Sequence, residues 1–362
     1  MALPSSCTVL VVGSGNAGFS AAVAARQGAQ DVILIDQCPE SWAGGNSYFT
    51  AGAYRTVHGG KSDLLPLVNN VDEQTAEEID IDPYTEADFY NDLSRMCGGR
   101  SDPELARILV QDSTQAIQWL ASNGIRFQLS SIARPTKSTV AFDSGGPGWD
   151  CAKVRGTPYN TGDVLNLAIR DAGAATAGNW SGCHSVAWDA NAPSHAGDQE
   201  ITNEFTKSGY PLGLMLNTAG KRFVDEGVDL RNFTYAKFGR AILGQPDRMA
   251  FQVWDSRMIP WLRDEEYREE RVERITAPSI TELASKLVPL GLRDPEEFIR
   301  TLDEYNTAVT AFQRENPAAK WDPAIKDGLS TQSSRVKLAL PKTNWATPLD
   351  QGPFSQCGLL AA

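Results

Sequence analysis

The stretch Thr8–Asp36 restricts the fold of this chain more than any other. Thr8-Val9-Leu10-Val11-Val12 is an apolar, β-branched run suited to a buried parallel strand, and it leads straight into Gly13-Ser14-Gly15-Asn16-Ala17-Gly18. A helix is predicted over Phe19 to Gln27, followed by a second strand, Val32-Ile33-Leu34-Ile35, that ends at Asp36. Strand, glycine turn, helix, strand and acid make the layout of a dinucleotide-binding half-sheet. Gly13 permits the tight turn, Gly15 lets the backbone approach a pyrophosphate, and Gly18 allows the helix to lie close to the sheet. Together with Asn16 and Ala17 they place unpaired N–H groups and the positive end of the helix dipole where a pyrophosphate would sit. Asp36 is positioned to accept hydrogen bonds from a ribose. The bland alternative is a glycine-rich turn that holds nothing.

A second group of small residues follows at once. Gly44, Gly45, Asn46 and Ser47, with Thr50 and Gly52 beyond, suit a backbone that must approach a phosphate or a flat ring closely; a plain surface loop is the other reading.

Charge and cysteine usage narrow the function classes. The 362 residues suffice for a large core, and the net charge of −12 leaves no basic face for a nucleic acid. Six scattered cysteines without C-x-x-C spacing read as free thiols of a reducing, cytoplasmic protein, and three histidines argue against a histidine-rich metal centre. No run approaches the roughly 18 apolar residues that span a bilayer. The apolar N-terminus reads as the first strand and not as a signal peptide. Asn179-Trp180-Ser181 and Asn232-Phe233-Thr234 match the glycosylation triplet by chance on this reading.

Further along, the acidic residues 71–92 read as solvated helix starts or loop, and the apolar spacing predicts one long helix over Asp102–Leu120. Pro135, Lys137 and Ser144-Gly145-Gly146-Pro147-Gly148 break any periodicity. Thr161 or Asp163 opens a helix through Ile169. Strands are predicted at Pro211–Asn217 and Phe251–Trp254. The mixed charges of Arg263–Arg274 read as a solvated helix face, and Ser279 and Glu282 form a capping box. Glu296–Phe312 is an amphipathic helix, and Trp345, Pro353 and Phe354 are candidate anchors for the tail. His184 reads either as a structural histidine or as a substrate-facing one. The charged run from Lys221 to Arg240 reads either as a salt-bridged surface or as a site for a dicarboxylate, because the arginine fork matches carboxylate geometry.

The chain resembles the flavoprotein family of fumarate reductases and succinate dehydrogenases, in particular its tricarballylate dehydrogenase-like branch. The resemblance is carried by VVGSGNAGFSAAVAARQGA at 11–29, GGNS at 44–47, KVRGTPYNTGDVLNLA at 153–168, WSGCHSVAWDANAP at 180–193 and GKRFVDEGVDLRNFTYAKFGRAI at 220–242. It implies an α/β fold: a Rossmann-like FAD-binding domain, discontinuous over 1–183 and 322–362, with a smaller α+β capping domain over 184–321. It also implies bound FAD, with Asp36 on the ribose and Gly44 to Ser47 at the pyrophosphate and flavin. On the same resemblance His184 orients a substrate carboxylate, Arg231 donates or accepts a proton beside the reacting C–C bond, and Glu226 supports Arg231 or relays protons to it. The implied activity is reduction or formation of a C–C double bond next to a carboxylate in a small di- or tricarboxylate.

Two segments of the family pattern are lacking. Too few residues separate Phe127 from Gly146 to hold the family's middle segment, and the family continues beyond the region that matches 344–358. The expectation is an incomplete flavin pocket, completed by a second copy or a partner chain, or else a non-redox anion-binding protein, isomerase or lyase. A plain NAD-dependent dehydrogenase would rest on the first glycine motif alone.

Overall fold

The β-branched run forms its strand as expected: β1 (Val9–Val12) pairs in parallel with β2 (Val32–Ile35), Val9 opposite Val32 and Val12 opposite Ile35, with the helix α1 (Asn16–Arg26) connecting them. The computed structural model describes residues 6–50, 52, 54–129, 152–177, 184–193 and 197–361. The glycine run at 144–148, Pro135, Lys137, Cys183 and the triplet at Asn179 lie outside the described residues.

The burial expected for β1 is not found. No residue of β1, α1 or β2 is buried, and Leu10, Val12, Phe19 and Val23 are exposed. The physical reason is coverage: among the described residues this sheet has two strands, so the second face of an apolar strand has nothing to pack on.

The chain divides into two compact units, one of residues 1–51 and 139–362, the other of 52–138. The smaller unit is helical: α2 (Lys61–Leu64), α3 (Glu73–Glu78), α4 (Glu86–Cys97), α5 (Pro103–Gln111) and α6 (Ser113–Ser122). Asp72 caps α3, a Thr85–Asp88 capping box opens α4, and Gly98 in the left-handed region closes it. The single helix expected over 102–120 is two helices. They meet at Asp112, where the Ser113 hydroxyl donates to the Val110 carbonyl at 2.8 Å and accepts from the Val57 N–H at 3.0 Å.

In the larger unit, α7 (Asp163–Ala172) begins where Thr161 and Asp163 suggested. There follow β3 (Ala187–Asp189), β4 (Leu214–Asn217), α8 (Arg231–Leu243), β5 (Ala250–Trp254), α9 (Asp264–Tyr267), β6 (Ile275–Ala277), α10 (Ile280–Leu287), α11 (Pro295–Glu315) and β7 (Phe354–Ala361). The strands form a five-stranded antiparallel sheet in the order β3-β7-β5-β4, with β6 also on β7. Alternate side chains serve opposite faces. Leu214 and Leu216 pack with Phe298, Leu302 and Tyr305 of α11, while Met215 packs with Phe238 and Ile242 of α8. With both faces covered, β4 and β5 are buried throughout, which is why they read as continuous apolar runs.

Within 322–362, β7 is an inner strand of the five-stranded sheet, pairing with β5 on one edge and with β3 and β6 on the other. One expectation is corrected here. The segment Arg263–Arg274 is not a solvated helix: α9 is one turn long, and Glu266 and Tyr267 within it are buried. Among the described residues, no helix is long and apolar enough to cross a membrane, and no group of histidine, cysteine and acidic side chains could hold a metal.

Candidate active site

Gly13 has φ +100, a turn conformation that favours glycine, and a Cβ on Gly18 would stand 1.8 Å from the Gly13 carbonyl oxygen. These two glycines are required by the fold. Gly15 is not: its backbone is extended, and a Cβ there meets nothing within 4 Å. Open space therefore lies over the N-terminus of α1, where no side chain caps the first N–H groups of Asn16 and Ala17. The Gly44–Ser47 loop closes on this turn. Gly44 N–H donates to the Ser14 carbonyl at 2.9 Å, and a Cβ on Gly45 would come within 3.0 Å of the Gly15 Cα.

Asp36 Oδ2 accepts from the Ser14 N–H at 2.5 Å and the Ser14 hydroxyl at 2.7 Å, and Oδ1 accepts from the Cys38 N–H at 2.8 Å. Burial opposes ionisation, but the hydrogen bonds from Cys38 and Ser14 prevail and hold this carboxyl far below the usual range. A carboxylate offers about four acceptor positions, so Oδ1 retains one for a ribose hydroxyl. The residues fit the pyrophosphate and ribose of a dinucleotide. Asn46 Oδ1 accepts from the Thr157 N–H at 3.0 Å, and Thr50 donates to the Ser47 carbonyl at 3.2 Å. Asn46 thus ties the loop to the segment 155–157. Gly52, with φ +67, belongs to the smaller unit.

These contacts separate folding from binding. Gly15→Val should leave stability within about 0.5 kcal/mol, as for a substitution with no steric neighbour. It should weaken dinucleotide binding by about tenfold or more, the loss of a hydrogen bond to a charged group. Thermal unfolding and cofactor titration of the one variant measure both.

The second half of the site gathers on α8. Arg231 is its first residue, and Nη1 donates to Ser208 Oγ at 2.9 Å and to Glu266 Oε1 at 3.3 Å. Tyr235 is one turn further along the same face, and its ring meets that of His184 edge-on at 5.0 Å between centroids. Burial raises the Tyr235 phenol's pKa against the opposing charges of Arg155 and Arg231. The structure therefore brings His184 and Arg231 to one region of α8. A cavity of about 230 Å³ opens against Arg231, lined also by Ser208, Leu230, Trp261, Arg263 and Trp345. Glu266 is shared: Arg263 Nη1 donates to the same Oε1 at 3.1 Å.

Glu226 has a different place. It is fully buried, accepts from the Met215 N–H at 2.9 Å, and binds Arg222 through both oxygens, at 3.2 Å from Nε and 2.5 Å from Nη2. Its carboxylate holds the strand-to-helix connection together through Arg222, which also donates to the carbonyls of Leu340 and Pro341. Lys342, fully buried beside this pair, donates to the Gly213 carbonyl at 2.8 Å. Burial pushes its ammonium down to about 8 from 10.5, with Glu226 opposing and Arg222 assisting. Between those two values the unfolded chain binds more protons than the folded one, so stability should rise with pH over that window. Lys342→Met should flatten that rise, which denaturant titration across the window measures.

Sequence reasoning gave no role to Ser208, Tyr235 or Glu266, and named Arg155 only within the polar lead into α7, which reads as a possible anion contact or an ordinary helix cap. Tyr235 was within reach, since it stands four residues after Arg231 in a helix. Glu266 was hidden in a charged run that resembles solvated surface, and Ser208 carried no signal.

The FAD binding domain family matches residues 8–146. Probable fumarate reductase Ifc3 of Shewanella frigidimarina is 36% identical over 124 residues, 33% of this chain and 18% of that protein. NADH:fumarate oxidoreductase of Klebsiella pneumoniae is 29% identical over 124 residues, 34% of this chain and 12% of that protein. The matched stretch thus spans under a fifth of these relatives' length. The open conformation of a flavocytochrome c3 fumarate reductase superposes with a TM-score of 0.65 at 18% identity, over 99% of this chain and 67% of that one. A 3-ketosteroid-Δ4-(5α)-dehydrogenase from Rhodococcus jostii RHA1 superposes with a TM-score of 0.53 at 16% identity, over 98% of this chain and 85% of that one. These superpositions show the fold alone: the mixed α/β architecture of those two enzymes.

Proposed function

We propose, on the premise that this chain is related to the FAD-dependent fumarate reductase and succinate dehydrogenase flavoproteins, that it is an FAD-dependent oxidoreductase. On this reading it reduces or forms a C–C double bond next to a carboxylate in a small di- or tricarboxylate. The observation that carries the reading is Arg231, pinned by Ser208 and Glu266 on the α8 face that also holds Tyr235 against His184.

FAD would be held by Gly13, Gly15, Asn16, Ala17 and Gly18 with Asp36 on its ribose, and would supply hydride acceptance or donation. This chain's own residues supply the rest. Arg231 holds the proton that is added to, or taken from, the carbon beside the carboxylate. Glu266 and Ser208 aim the guanidinium by holding Nη1, leaving Nη2 for substrate. His184, its ring set by Tyr235, orients a substrate carboxylate. Glu226 acts at a distance by fixing the connection from β4 to α8, and not as a partner of Arg231.

The reading is tested by supplying FAD to the purified protein and measuring oxidation of a reduced viologen dye by fumarate and by longer unsaturated di- and tricarboxylates. Turnover with at least one of these acids, and none with a saturated acid, is expected. Failure with every unsaturated acid by protein that holds FAD would overturn the activity assigned here.

A further inference from the structure

Arg155 stands in the segment tied to the cofactor loop. Thr157 N–H donates to Asn46, and Asn203, whose Oδ1 accepts from Arg155 Nη2, itself donates to the Thr50 carbonyl at 3.2 Å. The guanidinium covers the Trp188 ring at 5.8 Å. Its Nε is shut off from solvent and has no hydrogen-bond partner.

Among the described residues, Arg155 forms no ion pair. Glu266, the acid whose charge reaches it, is already bonded to Arg231 and Arg263. A half-buried guanidinium with its Nε shut off and no acid beside it carries a desolvation cost, and burial accordingly draws the Arg155 pKa below its usual range. An anion that docks here relieves that cost. The phosphates of the dinucleotide already have the N-terminus of α1, whereas Arg155 lies over Trp188, whose cluster Tyr235 packs against, and the Tyr235 ring meets His184.

We propose that Arg155 determines specificity by binding a second carboxylate of the substrate, the one remote from Arg231. This rests on the reading of a carboxylate substrate given above. Planar, bidentate recognition of a carboxylate is the task to which an arginine with free donors is suited.

The test compares succinate with its monomethyl ester as ligands of the FAD-loaded protein, by calorimetry. The wild type should prefer the diacid by about tenfold or more, the value of a charge-assisted hydrogen bond. Arg155→Gln should weaken the diacid alone and bring the ratio to about one, with FAD content unchanged, while Arg155→Lys restores part of the preference. A merely structural arginine would move both ligands together. A wild-type ratio near one, or a ratio that survives Arg155→Gln, overturns the proposal. Loss of FAD with the ratio intact also overturns it and assigns the arginine to a phosphate. Should Arg155→Gln not fold, the wild-type ratio and Arg155→Lys decide. Wild type that binds neither acid removes the carboxylate reading itself, an outcome distinct from equal binding of both.

Discussion

Arg231→Gln should lower turnover by about 10²–10⁴-fold, the range supplied by a positioned proton donor. FAD content should not change, because the glycine turn and Asp36 make no use of Arg231. The substitution also leaves Glu266 one cation, Arg263, so the carboxylate is not orphaned and the fold should hold. Ser208 Oγ keeps its bond to the other oxygen of Glu266. Rapid-mixing measurements at saturating unsaturated diacid would place the loss in the chemical step. A loss confined to KM would instead mean that Arg231 serves only to bind.

Glu226→Ala should destabilise the protein by about 3–5 kcal/mol, as expected when one partner of a buried ion pair is removed. Two buried cations, Arg222 and Lys342, would then face each other without their acid. The Met215 N–H would also lose its acceptor, in the middle of a fully buried strand. A proton relay would show the opposite pattern, with stability kept and turnover lost. Chemical denaturation followed by fluorescence, run beside an activity measurement on the folded fraction, separates the two. Glu226→Gln keeps the shape and an acceptor, so it should fall between the wild type and the alanine variant.

The parts of this fold legible in the sequence are those where one physical rule acts alone. The glycine turn was legible because φ and close approach dictate glycine at Gly13 and Gly18. The strands β4 and β5 and the helix α11 were legible because a covered sheet demands unbroken apolar runs and a half-covered helix demands three- and four-residue spacing. The breaks came where tertiary contacts overrule local pattern. The helix expected over 102–120 divides at Asp112 although its apolar spacing is continuous, next to Ser113, which reaches back to Val110 and across to Val57. The strand β7 follows a proline-rich tail and takes its place in the cap only because β5, β3 and β6 leave its two edges to fill. Glu266 looks solvated in sequence: Arg263 stands three residues before it, but Arg231 and Ser208, which also bind it, come from other segments. Of the residues given by the resemblance, His184 meets Tyr235, one turn after Arg231 on α8, whereas Glu226 binds Arg222.

The most direct test is a single turnover. The protein is loaded with FAD, reduced without oxygen, and mixed with stoichiometric unsaturated diacid while flavin absorbance is followed. Full and rapid return of the oxidised flavin spectrum, with the saturated acid as product, is the predicted result. Flavin that stays reduced in the presence of every such acid, or protein that takes up no FAD, would contradict the assignment of this chain to carboxylate-directed flavin chemistry.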